Sequence, residues 1–317
     1  MMMERKDFEK QSVFSQSNRG ILMYSNNGIH SSVRTRDGLR LMLRHWPARE
    51  HIEPRGTVCL VHGMGEHIGR YERLAKKLCE WGWSVFGFDQ RGHGMSEGSP
   101  GVLNQSDDLL YDLATVFDTI RQRISNQKLV LLGHSLGGLV VARFVAALAA
   151  PPENALWQRQ VDMCVLSSPA LALHLSIVQR VLLKTVGVLV PNLALDNGLN
   201  PEWLCTDAEV VRAYRSDPLV HHRISGRLAQ FMIESTEIVK RRAASWTTPT
   251  LLLYSGQDRY VCPNGSANFA SVAPKPLVEA HVYEKLRHEI LNEPETAGVY
   301  LALQDWLEKC ALDHCDS

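Results

Sequence analysis

Short, mostly apolar segments alternate with longer amphipathic segments along most of the chain. Strands that are buried on both faces of a parallel sheet have this apolar composition, and the amphipathic stretches have the period of helices. The apolar segments lie at 57–61, 83–89, 128–133, 161–168, 248–256 and 278–286. Because short connections join strand to helix in turn, the pattern predicts an α/β fold with a mostly parallel, doubly wound sheet.

The pattern begins differently near the N-terminus. Two β-like runs in HSSVRTRDGLRLMLRHW (30–46) flank the dipeptide Asp37-Gly38. This dipeptide favours a tight turn because both residues tolerate positive φ. We therefore expect an antiparallel hairpin at the start of the fold.

The strand-and-helix alternation stops between residues 170 and 245, where we find helical segments and no convincing strand. About 75 residues is too long for an ordinary loop, so the pattern predicts a helical cap inserted between two strands of the sheet. The expected organisation is a polar, poorly ordered leader at 1–25, a core at 26–169 and 246–310, the cap at 170–245 and a tail at 311–317.

Composition narrows the choice of partners and compartment. The 34 basic residues equal the 34 acidic ones, so we expect no nucleic-acid partner. The N-terminal segment lacks the apolar region of a secretory signal, and the seven cysteines are scattered singly, which indicates reduced thiols and a cytoplasmic location. No pattern indicates the oligomeric state.

The most apolar window spans residues 171–195. His174, Arg180, Lys184 and Pro191 interrupt it, so it lacks the uninterrupted run of about 18 residues that a membrane-spanning helix needs. It could still contact a membrane peripherally, from one side.

The segment GHSLGG (133–138) places Ser135 between glycines, after an apolar strand and before a helical stretch. Glycines allow the sharp turn that holds a nucleophilic serine in a strained backbone conformation. The start of a helix also favours developing negative charge. A strand-to-helix turn needs small residues in any case, so the serine requires partners elsewhere in the chain.

A serine nucleophile needs a histidine base and an orienting carboxylate, in the chain order Ser, Asp or Glu, His for this arrangement. Asp258 follows the apolar segment at 248–256 and His288 follows the segment at 278–286. The carboxyl ends of parallel strands meet at one edge, so we expect both beside Ser135. Three competing candidates are worse placed. His281 is inside a predicted strand, and Asp217 is inside the cap. Asp89 precedes the serine in the chain and is predicted to be a structural turn residue.

Acyl transfer also needs two backbone N–H groups to bind the oxyanion. We assign them to Leu136, directly after the serine, and to Met64 in HGMGEH (62–67). This loop lacks the spacing of a dinucleotide or phosphate-binding motif, and His62 and His67 lack the spacing of a metal-binding H-E-x-x-H motif. We therefore expect neither a cofactor nor a metal.

Five motifs in this order resemble the α/β-hydrolase superfamily, and within it the monoacylglycerol lipases and lysophospholipases, whose domain is also labelled serine aminopeptidase. The resemblance covers about residues 30–310. The motifs are LVHGMGEHIGRY, FDQRGHGMSEG, GHSLGG, SGQDRYVCP and YEKLRHEILNE.

The resemblance implies that Ser135, Asp258 and His288 form a catalytic triad, that Met64 and Leu136 form the oxyanion hole, and that 170–245 is the cap. It also implies hydrolysis of a small lipid ester of the monoacyl kind, without a cofactor. Monoacylglycerol lipases commonly carry methionine where this chain has Leu136. Because the donor is a backbone N–H group, this change of side chain should not affect the oxyanion hole. The segment Leu171 to Leu195 could wall a channel for the alkyl chain or merely pack on the core, and we favour the channel.

Two alternatives stay open at this point. An amidase or aminopeptidase of the same fold would need carboxylates near the pocket to bind an ammonium group, and Glu66 and Glu202 could serve, although no acidic cluster is evident. A non-catalytic binding module would be expected to have lost a member of the triad, whereas all three positions are filled.

Overall fold

The computed structural model describes residues 23–25, 28–48, 55–124, 127–174 and 189–312. Nearly all of the expected leader, most of the tail and the middle of the apolar window at 171–195 lie outside the described residues. The predictions for those parts therefore stay predictions.

A nine-stranded sheet forms the centre of the fold, in the order β1-β2-β3-β5-β4-β6-β7-β10-β11. The six strands from β5 to β11 in that order run parallel, and β1, β2 and β3 pair antiparallel at one edge. The strands are β1 Met23–Ser25, β2 Gly28–Arg34, β3 Arg40–Trp46, β4 Gly56–Val61, β5 Trp83–Phe88, β6 Leu129–His134, β7 Met163–Ser167, β10 Thr250–Ser255 and β11 Val278–Tyr283. The mostly parallel α/β sheet is confirmed.

The N-terminal hairpin is also confirmed. Strands β2 and β3 pair from Ile29↔His45 to Arg34↔Arg40, with Gly38 at φ 91° in the turn. The side chain of Asp37 accepts a hydrogen bond from the Thr35 hydroxyl at 2.6 Å. The backbone N–H of Gly38 donates to the carbonyl of Thr35 at 3.0 Å, and of the two turn residues only Gly38 has positive φ. The position of the turn was therefore predicted correctly, but Asp37 does not adopt positive φ.

Helices cover both faces of the sheet. Alternate residues of a strand point to opposite faces, so in β4 Val58 and Leu60 join the apolar cluster of one face while Cys59 and Val61 join that of the other. Within the described residues the α-helices are α1 Glu72–Glu80, α2 Asp108–Arg121, α3 Leu136–Ala146, α4 Ala208–Ser216, α5 Gly226–Arg242, α6 Pro263–Val272 and α7 Ala297–Leu312. Helices α1 and α7 pack on the first cluster, and α2, α3 and α5 pack on the second. Among the described helices none is long and apolar enough to cross a bilayer.

The chain between β7 and β10 leaves the sheet, and we call residues 170–245 the cap. Helices α4 and α5 lie in it, as the helical pattern predicts. The expectation that it contains no strand is wrong, because β8 (Ala194–Asp196) and β9 (Arg223–Ser225) pair antiparallel. Each strand is three residues long, which is too short to show an apolar and polar alternation in the sequence. The domain boundaries themselves stay a prediction.

The cap is hydrogen-bonded to two loops at the carboxyl edge of the sheet. The backbone N–H of His221 donates to the carbonyl of Gly65 at 2.9 Å, and that of Glu289 donates to the carbonyl of Leu204 at 2.8 Å. Gly65 has φ 77°, and a Cβ there would collide with the carbonyl oxygen of His221. The cap therefore contacts both the HGMGEH loop and the loop that carries His288.

Candidate active site

Ser135 lies in the sharp turn between β6 and α3. Its φ of 54° is rare for a residue with a side chain. A Cβ on Gly133 would collide with the backbone of Gly137, and one on Gly137 would collide with the carbonyl oxygen of Val61. The backbone N–H of Ser135 donates to the carbonyl of Ser167 at 3.0 Å. Glycines thus allow the close packing that holds the serine, itself partly exposed, in its strained conformation.

Asp258 and His288 come together at the same edge of the sheet. The loop after β10 carries Asp258, the loop after β11 carries His288, and Nδ1 of His288 lies 2.6 Å from Oδ2 of Asp258. The other carboxylate oxygen accepts the backbone N–H groups of Tyr260 (2.8 Å) and Val261 (3.0 Å). Both side chains are buried, so the pair is held without competition from solvent.

The environment shifts the pKa values of His288 and Asp258 in opposite directions. Burial disfavours the charged imidazole, but the Asp258 carboxylate outweighs burial and raises the pKa of His288. Burial likewise opposes the carboxylate, and His288 together with the two backbone donors lowers the pKa of Asp258. The geometry suits a carboxylate that orients an imidazole and stabilises its protonated form.

A cavity of about 440 Å³ joins the residues that the sequence singled out. Ser135, His288, Met64 and Leu136 all line it, and the Asp258 carboxylate lies behind the His288 imidazole. The HGMGEH loop is close to the serine, since a Cβ on Gly63 would lie 3.2 Å from that of Ser135. The described residues thus bring together every residue predicted for the catalytic site.

The cap supplies the apolar wall of this cavity. Its contributions include Leu173, Leu193, Leu195, Ile224 and Met232. Within the apolar window at 171–195, residues 175–188 lie outside the described residues. The expectation that the window walls a channel is supported at its two ends only.

The polar wall contains a network that the sequence reasoning missed. Arg70 lies between two carboxylates, with Nη1 2.8 Å from Glu66 and 2.6 Å from Glu289, and with Nη2 3.0 Å from Glu289. Glu66 also accepts the backbone N–H of Gly63 at 2.6 Å and the hydroxyl of Tyr71 at 2.7 Å. The i, i+4 spacing of Glu66 and Arg70 was a signal for their pairing, but only the fold shows that Glu289 joins them.

The charges in this network support one another. Burial alone would raise the pKa of Glu66, but Arg70 and the neighbouring imidazoles of His134 and His62 lower it to about 2. Burial would lower the pKa of Arg70, and the two carboxylates raise it instead. The polar end of the cavity therefore holds Glu66 and Arg70 in their charged forms, beside Glu289.

Comparisons with known proteins identify the family of this chain. The family model described as serine aminopeptidase, S33, matches residues 52–295. The chain belongs to the serine aminopeptidase S33 family. It is 31% identical to a monoacylglycerol lipase of Mycolicibacterium smegmatis over 90% of this chain and 99% of that one. It is also 29% identical to an uncharacterised abhydrolase domain-containing protein of Dictyostelium discoideum, of whose length it spans only 29%.

Solved structures show the same relationship. The crystal structure of a monoacylglycerol lipase from Paleococcus ferrophilus superposes with a TM-score of 0.74 at 32% identity, over 85% of this chain and 99% of that one. This S33 family member is therefore an α/β hydrolase in fold and in sequence.

The competing acids and histidines of this S33 family member have other partners. Asp89 accepts the backbone N–H groups of Ile68 (2.8 Å) and Met95 (2.9 Å), as expected of a structural turn residue. His281 is in β11 and contacts Glu279, and Asp217 contacts His67. Among the described residues no group of three His, Cys, Asp or Glu side chains is arranged to hold a metal ion.

One histidine of the HGMGEH loop has a structural role in this S33 fold. The backbone N–H of Gln90 donates to Nε2 of His62 at 2.9 Å, so the hydrogen of the neutral ring is on Nδ1, which donates to the carbonyl of Gly63 at 2.7 Å. Burial is the main reason that the pKa of His62 is lowered. The ring therefore fixes the backbone directly before Met64.

Proposed function

We propose that the protein is a serine hydrolase that cleaves carboxylic esters of monoacyl lipids through an acyl-enzyme on Ser135. One observation carries the proposal: Ser135 and the His288–Asp258 pair open into a cavity of about 440 Å³ that has an apolar wall and a polar end. The monoacylglycerol lipases among its relatives support the same substrate class.

The reaction begins when the Oγ of Ser135 attacks the ester carbonyl. His288 takes the serine proton and returns it to the departing alcohol, while Asp258 stabilises the imidazolium. The backbone N–H groups of Met64 and Leu136 bind the oxyanion, and the start of α3 adds a favourable dipole. Water then attacks the acyl-enzyme, with His288 again acting as the base. No cofactor takes part in these steps.

The two ends of the cavity suit the two ends of a monoacyl lipid. The alkyl chain lies against the cap, where Leu173, Ile224 and Met232 provide the apolar wall. The head group lies towards Glu66 and Arg70, whose charged groups favour hydroxyls as hydrogen-bond partners. A monoglyceride has this division between an apolar tail and a small polyol.

The amidase alternative needs a carboxylate that is free to bind an ammonium group. Glu66 lines the cavity, but its oxygens accept from Arg70, Tyr71 and a backbone N–H. Glu202 does not line the cavity and pairs with Arg215 at 2.7 Å. These contacts favour the ester hydrolase over the aminopeptidase.

We also propose a cytoplasmic protein that contacts lipid surfaces through the cap. The cysteines of the described residues are free thiols, which suits a reducing compartment. Leu189, Leu193 and Leu195 of the cap are 74%, 52% and 54% exposed, and the last two also line the cavity. An apolar rim at the mouth would let a monoacyl lipid enter from a membrane or micelle.

The test is a panel of monoglycerides, lysophospholipids and aminoacyl amides of graded size, assayed with the wild type and Ser135→Ala. We expect turnover of the long-chain monoglycerides and a loss of at least about 1,000-fold in the variant. A fluorophosphonate probe should label the wild type and not Ser135→Ala. Wild-type turnover by the variant would contradict the mechanism, and faster cleavage of the amides would contradict the substrate class.

A further inference from the structure

A second, much smaller cavity adjoins the polar end of the main one. Its volume is about 10 Å³, which is the room that a single water molecule needs. The polar residues that line it are Glu66, Arg70, Tyr71, His134, Glu289 and Asn292. Four of them, Glu66, Arg70, His134 and Glu289, also line the main cavity, so the two spaces are neighbours.

This small cavity offers both donors and acceptors to a guest molecule. The carboxylates of Glu66 and Glu289 accept, and each oxygen has more than one lone pair for the purpose. His134 contacts the hydroxyl of Ser167 through Nδ1 at 3.2 Å, which leaves Nε2 as the second polar atom of its ring. A buried water typically makes two to four hydrogen bonds, and this lining can provide them.

His134 connects the small cavity to the triad. Its ring centroid lies 4.8 Å from that of His288, and it directly precedes Ser135 in the chain. Burial and the neighbouring His288 lower the pKa of His134 to about 4. At neutral pH the ring is therefore uncharged, and an uncharged imidazole can donate one hydrogen bond and accept another.

Hydrolysis of an acyl-enzyme needs a water molecule close to His288 while the alkyl chain still fills the apolar part of the main cavity. We propose that the small cavity supplies this water to the main cavity, where Ser135 and His288 lie, and that His134 positions it for attack. This inference rests on the proposed function. In the step, the water oxygen bonds to the acyl carbon, His288 takes a proton from the water, the bond from the acyl carbon to Oγ of Ser135 breaks, and Oγ receives that proton. The products are the free fatty acid and the serine hydroxyl.

The test measures how the acyl-enzyme divides between water and methanol. Methanol is larger than a single water and reaches the acyl-enzyme through the main cavity, so it does not depend on the small one. In His134→Leu we expect the ratio of methyl ester to free fatty acid, at fixed methanol concentration, to rise about 10-fold. His134→Gln, which keeps a donor and an acceptor, should restore most of the wild-type ratio.

Two further variants make the experiment specific. Asn292 lines the small cavity but not the main one, and its Nδ2 donates to Glu289 at 2.9 Å. Asn292→Leu therefore removes a polar group of the small cavity and should raise the ratio. His45→Leu is the matched control, because His45 of β3 stacks on Phe86 of β5 and lines neither cavity. Its ratio should stay at the wild-type value.

The two proposals fail in different ways. An unchanged ratio in both His134→Leu and Asn292→Leu would overturn the water site while leaving the serine mechanism intact. A ratio that rises equally in His45→Leu would also overturn it. Turnover by Ser135→Ala at the wild-type rate would instead overturn the proposed function, and that result does not depend on the methanol experiment.

Discussion

His67 of the HGMGEH loop donates a hydrogen bond from Nε2 to Oδ2 of Asp217 in the cap, at 2.8 Å. The direction follows from the other side of the ring, where Nδ1 accepts the backbone N–H of Gly69 at 3.2 Å. Asp217 in turn accepts the backbone N–H of Leu219 at 2.9 Å through Oδ1. This contact ties the cap to the loop that carries Met64, the proposed oxyanion donor.

Asp217→Asn should lower kcat by up to about five-fold, because a partly exposed pair of this kind stabilises by about 1 kcal/mol at most. The side-chain oxygen of asparagine can still accept the backbone N–H of Leu219. Its Nδ2 then faces the N–H of His67, and two donors cannot form a hydrogen bond, so the contact between the cap and the HGMGEH loop is weakened. KM should change less than kcat, since Asp217 does not line the cavity.

The matched control for the His67–Asp217 contact is Glu209→Ala. Glu209 pairs with Arg212 at 2.8 Å within α4, on the exposed side of the same cap. Its removal should leave kcat and KM at wild-type values. Steady-state kinetics on one monoglyceride decides the matter, and an equal loss of kcat in both variants would show that the His67–Asp217 contact has no special role.

Asp258→Asn should lower kcat by about 10,000-fold, because the imidazole loses the carboxylate that orients and stabilises its protonated form. The pH profile should move as well. Asp258 raises the pKa of His288, and the protonated imidazole cannot act as a base. In the wild type, activity therefore rises as the pH passes upward through the raised pKa of His288.

Without the carboxylate, the pKa of His288 falls and the acidic limb of kcat/KM shifts to lower pH in the variant. A pH profile of the residual activity measures this shift. An acidic limb that stays where the wild type has it would contradict the role assigned to Asp258.

The sequence predicts much of this site because each member of the proposed triad lies within a few residues of the end of an apolar strand. In a parallel sheet those strand ends meet at one edge, so Asp258 and His288 could be placed beside Ser135 without coordinates. The Asp37-Gly38 hairpin was predicted in the same way, from local turn chemistry. These features depend on short-range patterns of residues, which are visible in the sequence alone.

Other features depend on contacts between distant segments. Arg70 binds both Glu66 and Glu289, and Glu289 lies 219 positions after Arg70 in the chain. Strand β8 pairs with β9 across a stretch that contains α4. His134 looks like an ordinary neighbour of the serine until the fold places its ring beside His288 and a second cavity. Periodicity does not report such contacts, because neither partner is unusual in its own segment.

Gly137→Ala should destabilise the fold by several kcal/mol and abolish activity. A Cβ there would collide with the carbonyl oxygens of Val61 and His62, and backbone atoms of a central strand cannot move aside at low cost. Gly298→Ala is the control: in α7 its Cβ meets no atom closer than 3.8 Å, so alanine should stabilise by about 0.5–1 kcal/mol. Urea unfolding of the two variants measures both changes, and equal stabilities would contradict the packing argument.

Leu189→Ser should weaken binding to lipid vesicles by about 10-fold, because an exposed leucine that enters a bilayer interface contributes about 1–2 kcal/mol. Leu189 is 74% exposed on the cap and does not line the cavity. Hydrolysis of a water-soluble short-chain ester should therefore keep its wild-type rate. The control is Leu301→Ser on α7, where a leucine that is 60% exposed lies outside the cap. Co-sedimentation with phosphatidylcholine vesicles separates the two, and equal loss of binding in both variants would mean that the cap is not the surface that meets the membrane.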